Sequence, residues 1–220
     1  MSDNKVLVYV PTYRENGKLA IHQETEKAVR RLKGEKQIVW AWDNPYPIDT
    51  HKGMNITYQL NRARDALLIG DFTHLMIIEH DMIPPENALV EMVEFDKDVV
   101  YAAYAFRHGP IPVLNIYRKT SMPEPDQSWQ HIKNGEPKYP DIIKQKRIPC
   151  SGAGTGCILI KRHVMERIKF RNENNGSPDL PFAADAAKAG FEQWGCFDIV
   201  CGHIRPDGVV LWPEYVEADK

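Results

Sequence analysis

The chain has 220 residues, with 28 Lys and Arg against 30 Asp and Glu, a formal charge of −2, 43% hydrophobic and 10% aromatic content. This composition is globular and excludes a disordered or fibrous chain; at this length folding removes about 70% of the unfolded surface from water, enough for a core without disulfide or zinc staples. The near-balanced charge supplies no global field for a polyanion, and no run approaches the roughly 18 apolar residues of a membrane span.

Lys5 to Val10 reads as a β-branched strand closed by Pro11, followed by a polar turn, Thr12 to Gly17. Ile21, Thr25, Ala28 and Leu32 then recur at helical spacing up to Gly34. Gln37 to Trp42 repeats the strand signal and Asp43-Asn44-Pro45 breaks it. Ile56, Leu60, Ala63 and Leu67 mark a second helix ending near Gly70, and Thr73 to Ile78 a third strand. Glu79-His80-Asp81 follows, and Pro84-Pro85-Glu86 opens another helix. Beyond a strand at Val99 to Phe106, the stretch Lys119 to Gln145 carries four prolines and reads as a long loop or insertion. Glycines at 152, 154 and 156 precede a strand, Cys157 to Ile160. Helices are expected near Arg162 and from Asp179 to Ala189, and short strands near Phe191 to Phe197 and Val209 to Trp212. Alternating strands and helices predict a single α/β domain over 1–220, with a mostly parallel central sheet covered by helices on both faces.

Four segments carry residues suited to chemistry. Glu79 and Asp81 stand i, i+2 at a strand end, where ligands of open α/β sheets gather, and paired carboxylates suit a hard cation such as Mg²⁺ or Mn²⁺. His203, after Cys201-Gly202, would favour Mn²⁺ if it met those acids, while Asp179 in a first helical turn is also explained by the helix dipole alone. Gly152 to Gly156 lacks the Lys-Ser/Thr ending of a P-loop and precedes its strand, so a nucleoside triphosphatase is disfavoured; the glycines suit an unusual turn or close backbone approach to a ligand. Residues 141–171 hold eight Lys or Arg against Asp141 and Glu166, which reads as a solvated basic face or, less simply, a surface for an acidic ligand. Cys150, Cys157, Cys196 and Cys201 form neither paired CxxC motifs nor a dense disulfide framework and are read as reduced and buried. With no cleavable signal pattern at the N-terminus, a cytoplasmic protein is expected.

In order, these motifs resemble the metal-dependent, family 2-like glycosyltransferases of the A-type fold, the small bacterial and phage kind. Val8 to Tyr13 resembles that family's first strand and nucleotide-contacting loop, Asp43 its acid after the second strand, and Arg64-Asp65 its Arg-Asn pair. Glu79-His80-Asp81-Met82-Ile83-Pro84-Pro85 resembles the Asp-x-Asp motif with its Pro-rich continuation, and Gly154-Thr155-Gly156 the turn flanking the acceptor site. Pro178-Asp179-Leu180-Pro181-Phe182 resembles the Glu-Asp-x-x-Phe helix, and Cys201-Gly202-His203 the terminal metal-binding His. Glu79 and Pro178 depart from the family's Asp and Glu.

The resemblance implies a Rossmann-like glycosyltransferase A-type domain that moves a sugar from a nucleotide diphosphate, expected to be uridine diphosphate, to an unidentified acceptor. The donor would bind in 1–106, through Pro11, Thr12, Tyr13, Asp43, Arg64 and His80. Mn²⁺ or Mg²⁺ would sit on Glu79, Asp81 and His203, and Asp179 would be the base of an inverting reaction. The acceptor would lie in 107–220 near Gly154, Thr155 and Trp194, with Trp129 and Tyr139 as further stacking platforms and the 119–145 insertion shaping the pocket. A glycan, a small molecule or a modified nucleobase are the acceptors considered. A metal-dependent hydrolase or nucleotidyltransferase, and a non-catalytic sugar-nucleotide binding protein, are the alternatives.

Overall fold

The computed structural model describes residues 4–12, 14, 15, 18–41, 52–106, 113–118, 130–133, 146–173 and 176–213. The first half runs β1 (Val6–Val10), a short hairpin of β2 (Arg14–Glu15) and β3 (Lys18–Leu19), α1 (Gln23–Arg31), β4 (Lys36–Trp40), α2 (Lys52–Ile69), β5 (His74–Ile78), β6 (Met82–Ile83), α3 (Ala88–Glu94) and β7 (Val99–Ala103). The second half runs β8 (Val113–Arg118), β9 (Gln130–Lys133), β10 (Arg147–Ala153), β11 (Cys157–Lys161), α4 (Arg162–Arg167), α5 (Asp179–Lys188), β12 (Gln193–Val200), β13 (Gly202–Ile204) and β14 (Val210–Leu211).

The described strands form a mixed nine-stranded sheet in the order β4-β1-β5-β11-β7-β12-β10-β8-β9, beside a small sheet β14-β13-β6. Three junctions of the large sheet are parallel, β4 with β1, β1 with β5 and β7 with β12. Five are antiparallel, β5 with β11, β11 with β7, β12 with β10, β10 with β8 and β8 with β9. The expectation of a mostly parallel, Rossmann-like sheet is therefore wrong: antiparallel pairing predominates.

Two features of the sequence hide this. β11 is buried along Cys157–Ile160, so its continuous apolar run looks like a parallel strand although it runs against both neighbours. The antiparallel edge falls where no strand is expected: β8 and β10 flank the 119–145 stretch read as loop, and β9 lies within it. β10 contains Pro149 and Gly152, breaker signals by composition, yet Pro149 is tolerated beside an irregularity where the register shifts between Cys150 and Gly152. β9 lies inside the expected 119–145 insertion, whose other residues are outside the described ones.

Alternation along the strands divides the core in two. Leu7, Tyr9, Leu75, Ile77, Ile158 and Tyr101 pack under Leu60, Leu67, Val164 and Phe182 of α2, α4 and α5. Val8, Met76, Ile78, Val100 and Leu159 pack under Val29 of α1 and Leu89 and Met92 of α3. The buried Tyr101 hydroxyl donates to Gln193 Oε1 at 2.7 Å, and Gln193 Nε2 donates to the Ala183 carbonyl, so a satisfied polar link ties α5 to the sheet.

Helices α2 and α4 are joined by reciprocal arginine caps. Arg162, at the start of α4, donates to the carbonyls of Leu67, Leu68, Gly70 and Phe72 at 2.8–3.1 Å, closing the end of α2. Arg64, on α2, donates through Nε to the carbonyls of Met165 and Ile168 at 2.7 and 3.0 Å, closing the end of α4. Carbonyls at helix ends lack intrahelical donors, and a planar guanidinium supplies several at once. Among the described residues, no helix is long and apolar enough to cross a membrane.

Candidate functional site

β1, β5, β7 and β12 run in one direction, and chemistry collects where they end. β5 delivers Glu79-His80-Asp81, β7 delivers Tyr104, and the chain beyond β12 delivers Cys201-Gly202-His203. The turn from β10 to β11 reaches the same edge, since the Glu79 N–H donates to the Gly156 carbonyl at 2.9 Å. β13 is stitched alongside: the Cys201 N–H donates to the Ala103 carbonyl and the Ile204 N–H to the Asp81 carbonyl, both at 2.8 Å. These backbone bonds bring Asp81 and His203 together across a long sequence gap.

Asp81 is completely buried, and its Oδ2 lies 3.6 Å from His203 Nε2. His203 Nδ1 is 2.8 Å from the Ala105 carbonyl, which can only accept, so Nδ1 carries the hydrogen. In the neutral ring Nε2 then presents a lone pair to a carboxylate. Two acceptors face each other, an arrangement that a cation or a proton between them relieves. The carbonyl that fixes the tautomer is the outer-shell partner a metal-ligating His ordinarily has. The residues present therefore fit a divalent ion held by Asp81 and His203.

Glu79, expected beside them, is turned to another partner: its Oε1 accepts from the Thr155 hydroxyl at 3.1 Å. Among the described residues, no group of three or more His, Cys, Asp and Glu side chains is gathered to hold a metal. An ion here would have to complete its shell from a ligand, as Mg²⁺ and Mn²⁺ do on substrate phosphates.

The Thr155 hydroxyl also lies 3.0 Å from Asp179 Oδ1, at the first residue of α5. Burial pushes the Asp179 carboxyl above the usual carboxylate range, while bonds from the Ser177 and Thr155 side chains and from the Thr155 backbone N–H hold it back. Burial pushes up the phenols of Tyr101, Tyr104 and Tyr117, and the charge of Asp179 adds to it at all three, behind that of Cys150 at Tyr101 and that of Glu79 at Tyr104. Asp179 thus stands among three tyrosines that β7, β8 and the end of β7 supply. Tyr104 joins the two parts of the site: its hydroxyl accepts from the Gly156 N–H at 3.2 Å, and its ring meets that of His203 edge-on at 5.3 Å.

This packing explains the glycines. A Cβ on Gly154 would run into the Tyr104 hydroxyl, and one on Gly156 would come within 2.8 Å of its ring. The close approach that these glycines permit is to Tyr104. No sequence signal marks Tyr104, an ordinary aromatic residue just past a strand.

The remaining expected site residues divide. Pro11 and Thr12 are buried at the end of β1, where the Thr12 hydroxyl donates to the Ala41 carbonyl. His80 stacks on His22 at 6.2 Å, before α1. Arg64 is committed through Nε to the end of α4. Trp194 lies opposite Val100 at the other end of the sheet, edge-on to Phe95, with the Lys97 ammonium 5.0 Å above its ring. Tyr13, Asp43, Trp129 and Tyr139 are outside the described residues. In the basic segment, Arg147 pairs with Asp198, Lys161 with Asp96, and Arg171 with Asp185 and Glu173, while Arg162 caps α2. Much of that charge is already answered within the chain. All four cysteines are free and buried.

No family model and no curated protein matches this sequence. Among solved structures the chain is similar to one titled "Crystal Structure of A197 from STIV", at 15% identity and a TM-score of 0.59, covering 99% of this chain and 98% of that one. At that identity the likeness is one of fold.

Proposed function

We propose that the chain is a glycosyltransferase that moves a sugar from a nucleotide-diphosphate donor, with a divalent metal at the diphosphate. The observation that carries this reading is the meeting, at one sheet edge, of an Asp81–His203 pair suited to a cation and a half-buried carboxylate, Asp179, suited to a base. The motifs come from separate parts of the chain, and their order in the sequence supports the same reading.

Asp81 and His203 would hold Mn²⁺ or Mg²⁺, which when bound supplies positive charge opposite the diphosphate. Asp179 would take the proton of an acceptor hydroxyl as its oxygen bonds to the anomeric carbon. The sugar–phosphate bond breaks with its electron pair leaving on the diphosphate. The upward push on the Asp179 carboxyl makes it a stronger base than an exposed aspartate, and fixed neighbours hold it for attack. Uridine is the base suggested by the sequence resemblance.

Incubation of the protein with uridine-diphosphate sugars, Mn²⁺ and a panel of neutral and nucleic-acid acceptors, followed by mass analysis, tests this. Uridine diphosphate together with a glycosylated acceptor supports transfer. Free sugar alone in every mixture points to a hydrolase, uridine monophosphate to cleavage at phosphorus, and binding without turnover to a sugar-nucleotide binding protein.

A further inference from the structure

Thr155 occupies an unusual place. It is buried to 1% exposure on the turn between β10 and β11, and its single hydroxyl lies 3.1 Å from Glu79 and 3.0 Å from Asp179. A hydroxyl has one hydrogen, so it serves one carboxylate at a time. Its backbone N–H bonds to Asp179 as well. Two donors of one residue therefore meet two acids, one from the end of β5 and one from the start of α5.

The turn that carries Thr155 is itself held from three sides. The Gly154 N–H donates to the Asn115 carbonyl at 3.1 Å, the Gly156 N–H to the Tyr104 hydroxyl, and the Gly156 carbonyl accepts from Glu79. Asn115 is completely buried and clamps β8 onto the end of β7: its Oδ1 accepts from the Tyr104 N–H and its Nδ2 donates to the Ala102 carbonyl. The Thr155 donors are therefore fixed relative to the strand ends, whereas Asp179 arrives on a separate helix.

We infer that Thr155 is the positioning residue for Asp179: its hydroxyl and N–H lock the carboxylate of α5 onto the strand-end platform, and Glu79 serves as the hydroxyl's second acceptor. This rests on the glycosyltransferase reading for its catalytic consequence but not for its geometry. It also gives Glu79 a task apart from metal ligation.

The test compares Thr155→Val, which removes the hydroxyl at nearly constant volume, with Thr155→Ser, which keeps it. Asp179 is followed by carboxyl carbon NMR across a pH titration, with thermal melting as a check on folding. Thr155→Val should move the Asp179 titration to higher pH, because a bond favouring the carboxylate is lost, and Thr155→Ser should restore it. With a turning-over uridine-diphosphate sugar, Thr155→Val should lower kcat about 10- to 100-fold with donor KM nearly unchanged, and Thr155→Ser should recover most of the loss. An Asp179 titration indifferent to both variants, or a loss in KM alone, overturns the inference. If the wild-type protein turns over no sugar nucleotide, the functional reading fails while the NMR comparison still decides the role of Thr155.

Discussion

Asp179 carries opposite consequences for chemistry and for stability. Its carboxyl is pushed up in the folded chain, mainly by burial, so between its ordinary and folded values the native state binds more protons than the unfolded state. Stability therefore falls as pH rises through that window. Asp179→Asn, which cannot ionise, should melt higher than wild type at pH 7 and lose that advantage as pH drops below the ordinary aspartate range. The same variant should keep nucleotide affinity and lose transfer. A lower melting temperature at pH 7 would show that the carboxylate is a net stabilising group. The ordered motifs of the resemblance mark Asp81, Thr155, Asp179 and His203 in the sequence, and folding brings them together in pairs, Asp81 with His203 and Thr155 with Asp179. The task of Glu79 was not legible there, since its side chain follows Thr155, a neighbour supplied only by folding. Nor was Tyr104, whose role depends on two glycines placed beneath its ring.

At the scale of elements, the reciprocal caps between α2 and α4 predict a strong effect from a position that touches no candidate ligand. Arg162→Ala removes donors from four carbonyls and should cost about 3 kcal/mol, lowering Tm by about 10 °C in a chain of this size. Arg162→Lys should recover less than half, because an ammonium lacks the planar fork. Full recovery by Lys would reduce the interaction to charge alone. β5 holds a second element-scale test. Its His74 is buried, and burial, then the charge of Lys161, lowers its pKa from 6.5 to about 4. The unfolded chain binds the proton first, so the stability due to the neutral ring is complete above about pH 6.5 and is lost as pH falls toward 4. At its full extent this is about 3 kcal/mol. Urea midpoints at pH 4.5 and 7 should differ less in His74→Gln than in wild type; an unchanged difference would place the acid sensitivity elsewhere. The apolar runs of β1, β5 and β11 made the elements readable, but strand direction has no signature in a run buried on both faces. β10 was missed because Pro149 and Gly152 look like loop residues, although Ile148 and Cys150 point into the core.

In the whole molecule, antiparallel insertion of β11 between β5 and β7 does more than change the sheet's class. It puts the turn at Thr155 against Glu79, so residues from both halves of the chain share one edge. The small sheet of β6, β13 and β14 then fixes His203 over Asp81, with His203 paired to Met82 one residue along. One edge thus carries a cation-suited pair and a base-suited acid, linked through Tyr104 and Thr155. A structure-only likeness at 15% identity supplies the fold and leaves the chemistry to these side chains. Calorimetric titration of uridine diphosphate into the protein, with Mn²⁺ and then with a chelator, and again into Asp81→Ala, is the decisive measurement. Binding that needs both the metal and Asp81, with affinity falling at least about tenfold when either is removed, is the predicted result. Binding equally strong in chelator, or in Asp81→Ala with Mn²⁺, would contradict it.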